Sequence, residues 1–296
     1  MEETHEDELM LRIRQHVQSA MDAHHAQART AEPSAIPNTP FVTLTYAQSI
    51  DGSIAAVRGT PTLLSGAQSM RMTHMLRTMH DVILVGIGTI LADNPSLNAR
   101  FAEGSNPKPV IVDTSLRCPL SIKLFTSSAC EKPNAISFNS DAVHSNTRAR
   151  RSLSAAPRRT PMAFFTSTFA TALVRLLLEL LFARGVQSVM VEGGAAILTA
   201  CLRESARAHL VDSVVVTIAP TFIGGLRAVG SLVAAPETEA PTTAATRTSE
   251  PPSRVTGVVA PQAPAAVVAP SAFPRLQHPT FHPLGDDVVL VGRLLR

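Results

Sequence analysis

One stretch of this chain constrains its fold more than any other. Residues 82–100 read Val-Ile-Leu-Val-Gly-Ile-Gly-Thr-Ile-Leu-Ala-Asp-Asn-Pro-Ser-Leu-Asn-Ala-Arg. Val82 to Val85 is a short apolar run rich in β-branched residues, the pattern of a strand covered on both faces. Gly86 and Gly88 are expected to turn the chain sharply out of the sheet and to bring backbone N–H groups close to a ligand. Thr89, Asp93 and Arg100 then offer a hydroxyl, a carboxylate and a guanidinium around one strand end. Open α/β sheets bind their ligands at the carboxyl ends of strands, so these three residues mark a candidate site. The glycines do not form the dinucleotide fingerprint G-x-G-x-x-G, because Leu91 stands where its third glycine belongs.

A second constellation has the same logic. Val189-Met190-Val191-Glu192-Gly193-Gly194-Ala195-Ala196-Ile197-Leu198 reads as strand, carboxylate, double glycine and helix. Glycine lets a phosphate approach the backbone, and the following helix N-terminus offers free N–H groups and the positive end of a dipole. Glu192 beside such an anion cradle calls for hydroxyl or amine donors on a second ligand. Together the two constellations suggest a nucleotide and a second polar substrate.

The surrounding pattern alternates strands and helices. Leu9, Ile13, Val17 and Met21 recur every four residues, predicting a helix over 6–29 with one apolar stripe. Strands are expected at Phe41–Ala47, near Ile54, and at Pro109–Asp113, Asn134–Phe138, Met162–Phe165, Ser188–Val191, Asp212–Ala219 and Asp287–Leu294. Helices are expected at Gly66–Met79, at Thr168–Ala183 with Gly185 as its C′ residue, and from Ala195 to Ser205. This order predicts an α/β fold with a mostly parallel central sheet, an antiparallel edge and flanking helices.

Two stretches break the pattern. Residues 235–270 are nearly all Ala, Pro, Thr, Ser and Val, too poor in patterned apolar surface to offset chain entropy, and are expected to be a disordered insertion. Residues 139–160 read as a smaller flexible insertion. The domain reading is a helical extension over 1–36 followed by one domain over 37–296.

Composition narrows the function. The chain has 296 residues, 45% of them apolar, and a formal net charge of +3. No apolar run approaches a membrane span, so no membrane association is expected. The acidic start Met1-Glu2-Glu3-Thr4-His5-Glu6-Asp7-Glu8 argues against a secretory or transit signal, and the expected location is cytoplasmic. Arg148, Arg150, Arg151, Arg158 and Arg159 cluster without interleaved aromatic residues, so nucleic acid is not an expected partner. Cys118, Cys130 and Cys201 make no C-x-x-C pair, which suits free thiols in a reducing compartment. Pro279 and Pro283 prevent a helix through His278 and His282, so no metal site is expected there.

Several motifs in order resemble one family. They are Phe41-Val42-Thr43-Leu44-Thr45-Tyr46-Ala47-Gln48-Ser49-Ile50-Asp51-Gly52, Thr73-His74-Met75-Leu76-Arg77, His80-Asp81 through Asn94-Pro95, Val191-Glu192-Gly193-Gly194, Ala219-Pro220-Thr221-Phe222-Ile223-Gly224-Gly225, and the closing His282–Leu290. This set resembles the riboflavin-biosynthesis pyrimidine reductases, and in particular their stand-alone fungal type. The zinc deaminase signature of the bacterial fusion enzymes is missing from the sequence.

The resemblance implies a dihydrofolate-reductase-like fold and an NADPH-dependent reduction of a ribosylamino-pyrimidinone 5′-phosphate to its ribitylamino form, in a homodimer. Hydride would go to the sugar C1′ through the ring-opened imine. By matching position, Ala47, Thr89, Asp93, Thr114 and the run Gly193, Gly194, Ala195, Ala196, Ile197 and Leu198 would contact NADPH. Arg77, Leu97, Arg100 and Glu192 would hold the substrate, with the two arginines on its phosphate. No catalytic proton donor is singled out; His74 and His80 are candidates by position, and solvent is the other source. Asn94 replaces an aspartate common in the family. Three other readings stay open: the deaminated pyrimidinedione as substrate, another reductase of the same fold, and a non-catalytic scaffold.

Overall fold

The computed structural model describes residues 2–30, 38–128, 130–131, 134–136, 167–232 and 273–295. The insertions expected at 139–160 and 235–270, and the strand expected at 162–165, lie outside them.

The β-branched runs build one sheet. Its parallel strands are β1 (Phe41–Ser49), β3 (Val82–Gly86), β4 (Lys108–Val112), β5 (Asn134–Ile136), β6 (Ser188–Gly193) and β7 (Ser213–Ala219). β10 (Asp287–Leu294) runs antiparallel to β7, and β9 (Leu276–Leu284) antiparallel to β10. The eight strands lie in the order β5-β4-β3-β6-β1-β7-β10-β9. β2 (Ser53–Ala55) and β8 (Leu226–Arg227) form a separate small ladder. The expected mostly parallel sheet with an antiparallel edge is therefore what the chain forms.

Helices cover both faces. On one face α1 (Glu2–Thr30) and α2 (Ala67–Thr78) bury Leu9, Ile13, Val17, Met72 and Leu76 against Phe41, Met190, Val215, Val289 and Val291. The four-residue stripe of α1 thus packs on the body of the molecule. On the other face α5 (Ser167–Phe182) and α6 (Ala195–Ala208) bury Leu177, Leu178, Leu198 and Cys201 against Val42, Leu44, Leu84, Val189 and Val191. Alternate residues of one strand thus feed two cores, as the pleat requires. α5 ends as expected: Gly185 takes φ +84 and the Val186 N–H reaches back to the Leu181 carbonyl, a Schellman closure.

Two elements differ from the sequence reading. β9 was not expected, because Pro279 and Pro283 interrupt it; it lies at the sheet edge, the one place where a strand tolerates proline. Residues after β3 form α3 (Ile87–Asp93) instead of a glycine turn. A one-turn helix, α4 (Lys123–Thr126), completes the description.

Candidate functional site at the carboxyl edge of the sheet

The strand order sets four candidate segments side by side. β4, β3, β6 and β1 are successive neighbours, and at their carboxyl ends lie Thr114, the segment 86–93, the segment 192–198 and Ala47. Leu84 pairs with Val191 and Leu44 also pairs with Val191, so these ends are in register.

The glycines work differently from the expectation. Gly86 is extended, with φ −79 and ψ 153, and caps α3; neither it nor Gly88 adopts a positive φ. Space is what position 86 requires, since a Cβ there would stand 3.0 Å from Cγ1 of Ile197. The left-handed conformations fall in the second motif, where Gly193 has φ +105 and Gly194 φ +67. These angles strain any residue with a Cβ. They turn the chain from β6 into α6, whose first intrahelical bonds run from the N–H groups of Ile197 and Leu198 to the Gly194 carbonyl. Gly194 provides no side-chain cap, and the N–H groups of Ala195 and Ala196 precede those bonds. A helix start of this kind offers donors to an anion.

Thr89 joins this cradle. Its Oγ1 lies 3.2 Å from the position a Cβ on Gly194 would take. Asp93, at the end of α3, is exposed, and partial desolvation raises its pKa. No hydrogen bond or ion pair among the described residues engages its carboxylate, which leaves it open to a ligand donor. The neighbouring Asn94 takes φ +40 as the helix cap, and its Oδ1 accepts the Lys123 N–H at 2.9 Å. Asparagine tolerates this conformation better than most residues with a Cβ. Thr114 is exposed in the turn after β4, which Asp113 shapes by accepting the N–H groups of Ser115 and Cys118.

The substrate-side residues form a tighter group. Arg77 donates from Nε to Glu192 Oε1 at 2.6 Å and from Nη2 to Oε2 at 2.7 Å. Its Nη1 donates to the Asn98 carbonyl at 2.7 Å. The side chains of Arg77 and Glu192 are only 10% and 14% exposed. Burial disfavours the Arg77 charge, but the paired Glu192 carboxylate outweighs it and keeps the Arg77 pKa above its usual value. Arg77 is thus committed to Glu192 in this structure, whereas the sequence reading gave it directly to a phosphate. Arg100 differs: it is exposed, stacks 4.5 Å above the Phe101 ring and donates from Nη1 to Asn98 Oδ1 at 3.1 Å. Leu97 is buried with φ +51 and anchors the loop that carries Arg100.

The two histidines considered as proton donors are both buried. His80 is held by Thr43 Oγ1 at Nε2, 2.8 Å, and by the Leu76 carbonyl at Nδ1, 2.7 Å. His74 lies beneath the Arg100 loop. Burial pushes the pKa of each down to about 4.

Sequence reasoning missed two organising residues. Asn98 receives Arg77 through its backbone carbonyl, which no side-chain pattern reveals. Asp51 entered only as one position of the first motif, yet its carboxylate accepts Ser49 Oγ at 2.6 Å, Ser53 Oγ at 3.0 Å, and the N–H groups of Ile223 and Gly224 at 3.0 and 2.8 Å. It clasps the β1–β2 turn to the Thr221–Gly225 loop, and these bonds, that from Ser49 foremost, hold its pKa well below the usual carboxylate range.

A doubly covered parallel sheet, with a helix-start anion cradle and loose polar side chains at its carboxyl edge, is the architecture of a nucleotide-using α/β enzyme. The chain belongs to the family of the RibD C-terminal domain, whose family model matches residues 40–250. It is 36% identical over 200 residues to the 2,5-diamino-6-ribosylamino-4(3H)-pyrimidinone 5′-phosphate reductase of Debaryomyces hansenii, covering 65% of this chain and 79% of that relative. It is 33% identical over 193 residues to the protein of the same name from Methanothermobacter thermautotrophicus, covering 63% and 80%. Among solved structures, the riboflavin biosynthesis reductase of Saccharomyces cerevisiae aligns with a TM-score of 0.52 at 27% identity, over 91% of this chain and 94% of that one. Acinetobacter baumannii RibD shares the fold, with a TM-score of 0.57 at 18% identity over 88% of this chain and 60% of that one.

Proposed function

We propose that this protein is a pyridine-nucleotide-dependent oxidoreductase of riboflavin biosynthesis. It reduces 2,5-diamino-6-ribosylamino-4(3H)-pyrimidinone 5′-phosphate to the ribitylamino product. The single observation that carries the reading is the juxtaposition of the Thr89–Gly194 cradle with the buried Arg77–Glu192 pair, in a chain whose relatives bear that reductase name.

The cofactor is NADPH in this reading. The residues fit it: Gly193 and Gly194 leave backbone space, the N–H groups of Ala195 and Ala196 suit phosphate oxygens, and Thr89, Asp93, Thr114 and Ala47 stand at or beside adjoining strand ends, while Ile197 and Leu198 support the cradle from the first turn of α6, Leu198 from within the core. When bound, the reduced nicotinamide supplies hydride to the sugar C1′, while the amine nitrogen takes a proton. The exposed Arg117, three residues beyond Thr114, is a cation suited to the 2′-phosphate that distinguishes NADPH from NADH. On the substrate side, Arg100 donates only from Nη1 among the described residues, which leaves its other guanidinium N–H groups for the sugar phosphate. Leu97 fixes its loop, and Arg77 holds Glu192 in one orientation toward the substrate's hydroxyl and amine donors. His80 has both ring nitrogens engaged in the core, so solvent is the proton source.

A homodimer is supported by the exposed apolar side chains Phe281 and Val288, which the β9–β10 register puts on one face at the sheet edge. A cytoplasmic setting is supported by the free thiols Cys118, Cys130 and Cys201. Among the described residues no helix is long and apolar enough to cross a membrane. The test is cofactor oxidation with the diamino substrate, its deaminated analogue and dihydrofolate in parallel. Turnover with the diamino compound and the ribitylamino product by mass spectrometry are expected. Preference for dihydrofolate, or no turnover with either pyrimidine, overturns the reading.

A further inference from the structure

His74 touches both halves of the substrate-side group, the Arg77–Glu192 pair and the loop that carries Arg100. Its imidazole is fully buried, at 0% exposure. Nδ1 lies 3.4 Å from the Phe101 backbone N–H, which donates to it. Nε2 faces Nη1 of Arg77 at 3.4 Å. The ring also packs against the Phe101 ring, with centroids 4.6 Å apart. Phe101 in turn carries the Arg100 guanidinium at 4.5 Å from its ring centroid, a cation–π geometry. Arg77 reaches the same loop at a second point, the Asn98 carbonyl.

We infer that His74 is a positioning residue that sets where Arg100 stands relative to Glu192, by clamping the 98–101 loop against the Arg77–Glu192 pair. The inference rests on the substrate roles proposed above for Arg100 and Glu192. The argument is one of geometry. An exposed arginine on a loop can adopt many rotamers, and a phosphate contact is useful only if the guanidinium is held near its target. Here the loop is pinned twice, at Asn98 by Arg77 and at Phe101 by His74, and Arg100 is one of the two residues between those pins. Both ring nitrogens of His74 face N–H groups; the neutral imidazole can accept at one of them and the imidazolium at neither, so the neutral form is the better fit. Burial first, and then the charges of Arg77 and Arg100, favour that neutral form. Among the described residues no hydrogen bond or ring contact joins His74 to the anion cradle or the cofactor-side segments, so its effect falls on the substrate.

The experiment compares His74→Ala, His74→Asn and Phe101→Leu with the unaltered protein. An asparagine oxygen can accept the Phe101 N–H where Nδ1 does, and Phe101 is half exposed, so Phe101→Leu threatens folding little. His74→Ala and Phe101→Leu are expected to raise KM for the pyrimidine phosphate at least about five-fold, with KM for NADPH changed less than two-fold. His74→Asn is expected to recover most of the loss. Binding of ribose 5-phosphate by calorimetry, which needs no turnover, is expected to weaken in parallel. If the unaltered protein turns over the substrate and both Phe101→Leu and His74→Ala leave KM and ribose 5-phosphate binding unchanged, the clamp is refuted and the functional reading stands. Equal losses for both substrates in all three variants also refute it, since the effect is then general to the fold. If the unaltered protein does not use the substrate at all, the functional reading fails and takes the clamp with it.

Discussion

Replacing Arg77 by methionine tests the physical core of the site. The change keeps much of the side-chain volume and removes two hydrogen bonds to Glu192 at 2.6 and 2.7 Å, one to the Asn98 carbonyl at 2.7 Å, and the longer 3.4 Å contact with His74 Nε2. It leaves a carboxylate that is 14% exposed without its cation. Breaking a buried pair from one side typically costs about 3–5 kcal/mol, because the remaining charge is desolvated and uncompensated. For a domain of this size each kcal/mol moves Tm by roughly 2–4 °C, so a fall on the order of 10 °C is expected. The double variant Arg77→Met/Glu192→Met removes both charges and should regain at least about half of the loss. The exposed helical pair Arg175–Glu179, joined at 3.0 Å, is the internal control, and its removal should cost under about 1 kcal/mol. Urea denaturation of Arg77→Met, Glu192→Met, their double variant, the Arg175–Glu179 control and the parent measures this. A cost below about 1 kcal/mol for Arg77→Met, or additive losses in the double variant, would show that the pair is effectively solvated and does not organise the site.

Four further outcomes are expected. Asp93→Ala should weaken NADPH binding about ten-fold, one charged hydrogen bond, while Tm stays within about 1–2 °C, because its carboxylate has no partner among the described residues; titration of nicotinamide fluorescence measures it. Arg117→Ala should raise KM for NADPH several-fold and leave KM for NADH unchanged in steady-state kinetics. Burial, foremost, holds the folded His80 pKa at about 4 against 6.5 unfolded, so between those values the unfolded chain takes up a proton that the folded one refuses. Stability should therefore be full above about pH 6.5 and fall by roughly 2 kcal/mol by pH 5, and urea midpoints should lose much of that slope in His80→Gln. Gly225→Ala should abolish soluble folded protein or cost more than about 3 kcal/mol, since its Cβ would overlap the carbonyl oxygens of Ala55 and Ala56. Gly224→Ala, with open space but φ +68, should cost only about 1–2 kcal/mol by circular dichroism melts.

The sheet was legible because its strands are buried on both faces. Val82–Val85, Val189–Val191 and Val214–Val216 are continuous apolar runs that no helix-period pattern competes with. β9 was not legible, because Pro279 and Pro283 are breakers everywhere except at an edge, and edge position is a property of the assembled sheet. α3 was hidden by Gly86 and Gly88: local propensity argues for a turn there, while close packing on Ile197 is what actually requires the first glycine. The candidate site divides the same way. Thr89, Asp93 and the Gly193–Leu198 run could be read from strand-end spacing. The commitment of Arg77 to Glu192 could not, because those residues are 115 positions apart and meet only when β6 and α2 pack. Nor could Asp51's reach to Ile223 and Gly224, or the His74 contact with Phe101.

The most direct test of the central claim is to follow the hydride. The purified protein would be incubated with the pyrimidine ribosylamine phosphate and NADPH carrying deuterium at the transferable C4 position. The account predicts a ribitylamino product one mass unit heavier, with the deuterium located at C1′ of the side chain by NMR. A reduced product without deuterium, or label elsewhere than C1′, would contradict it.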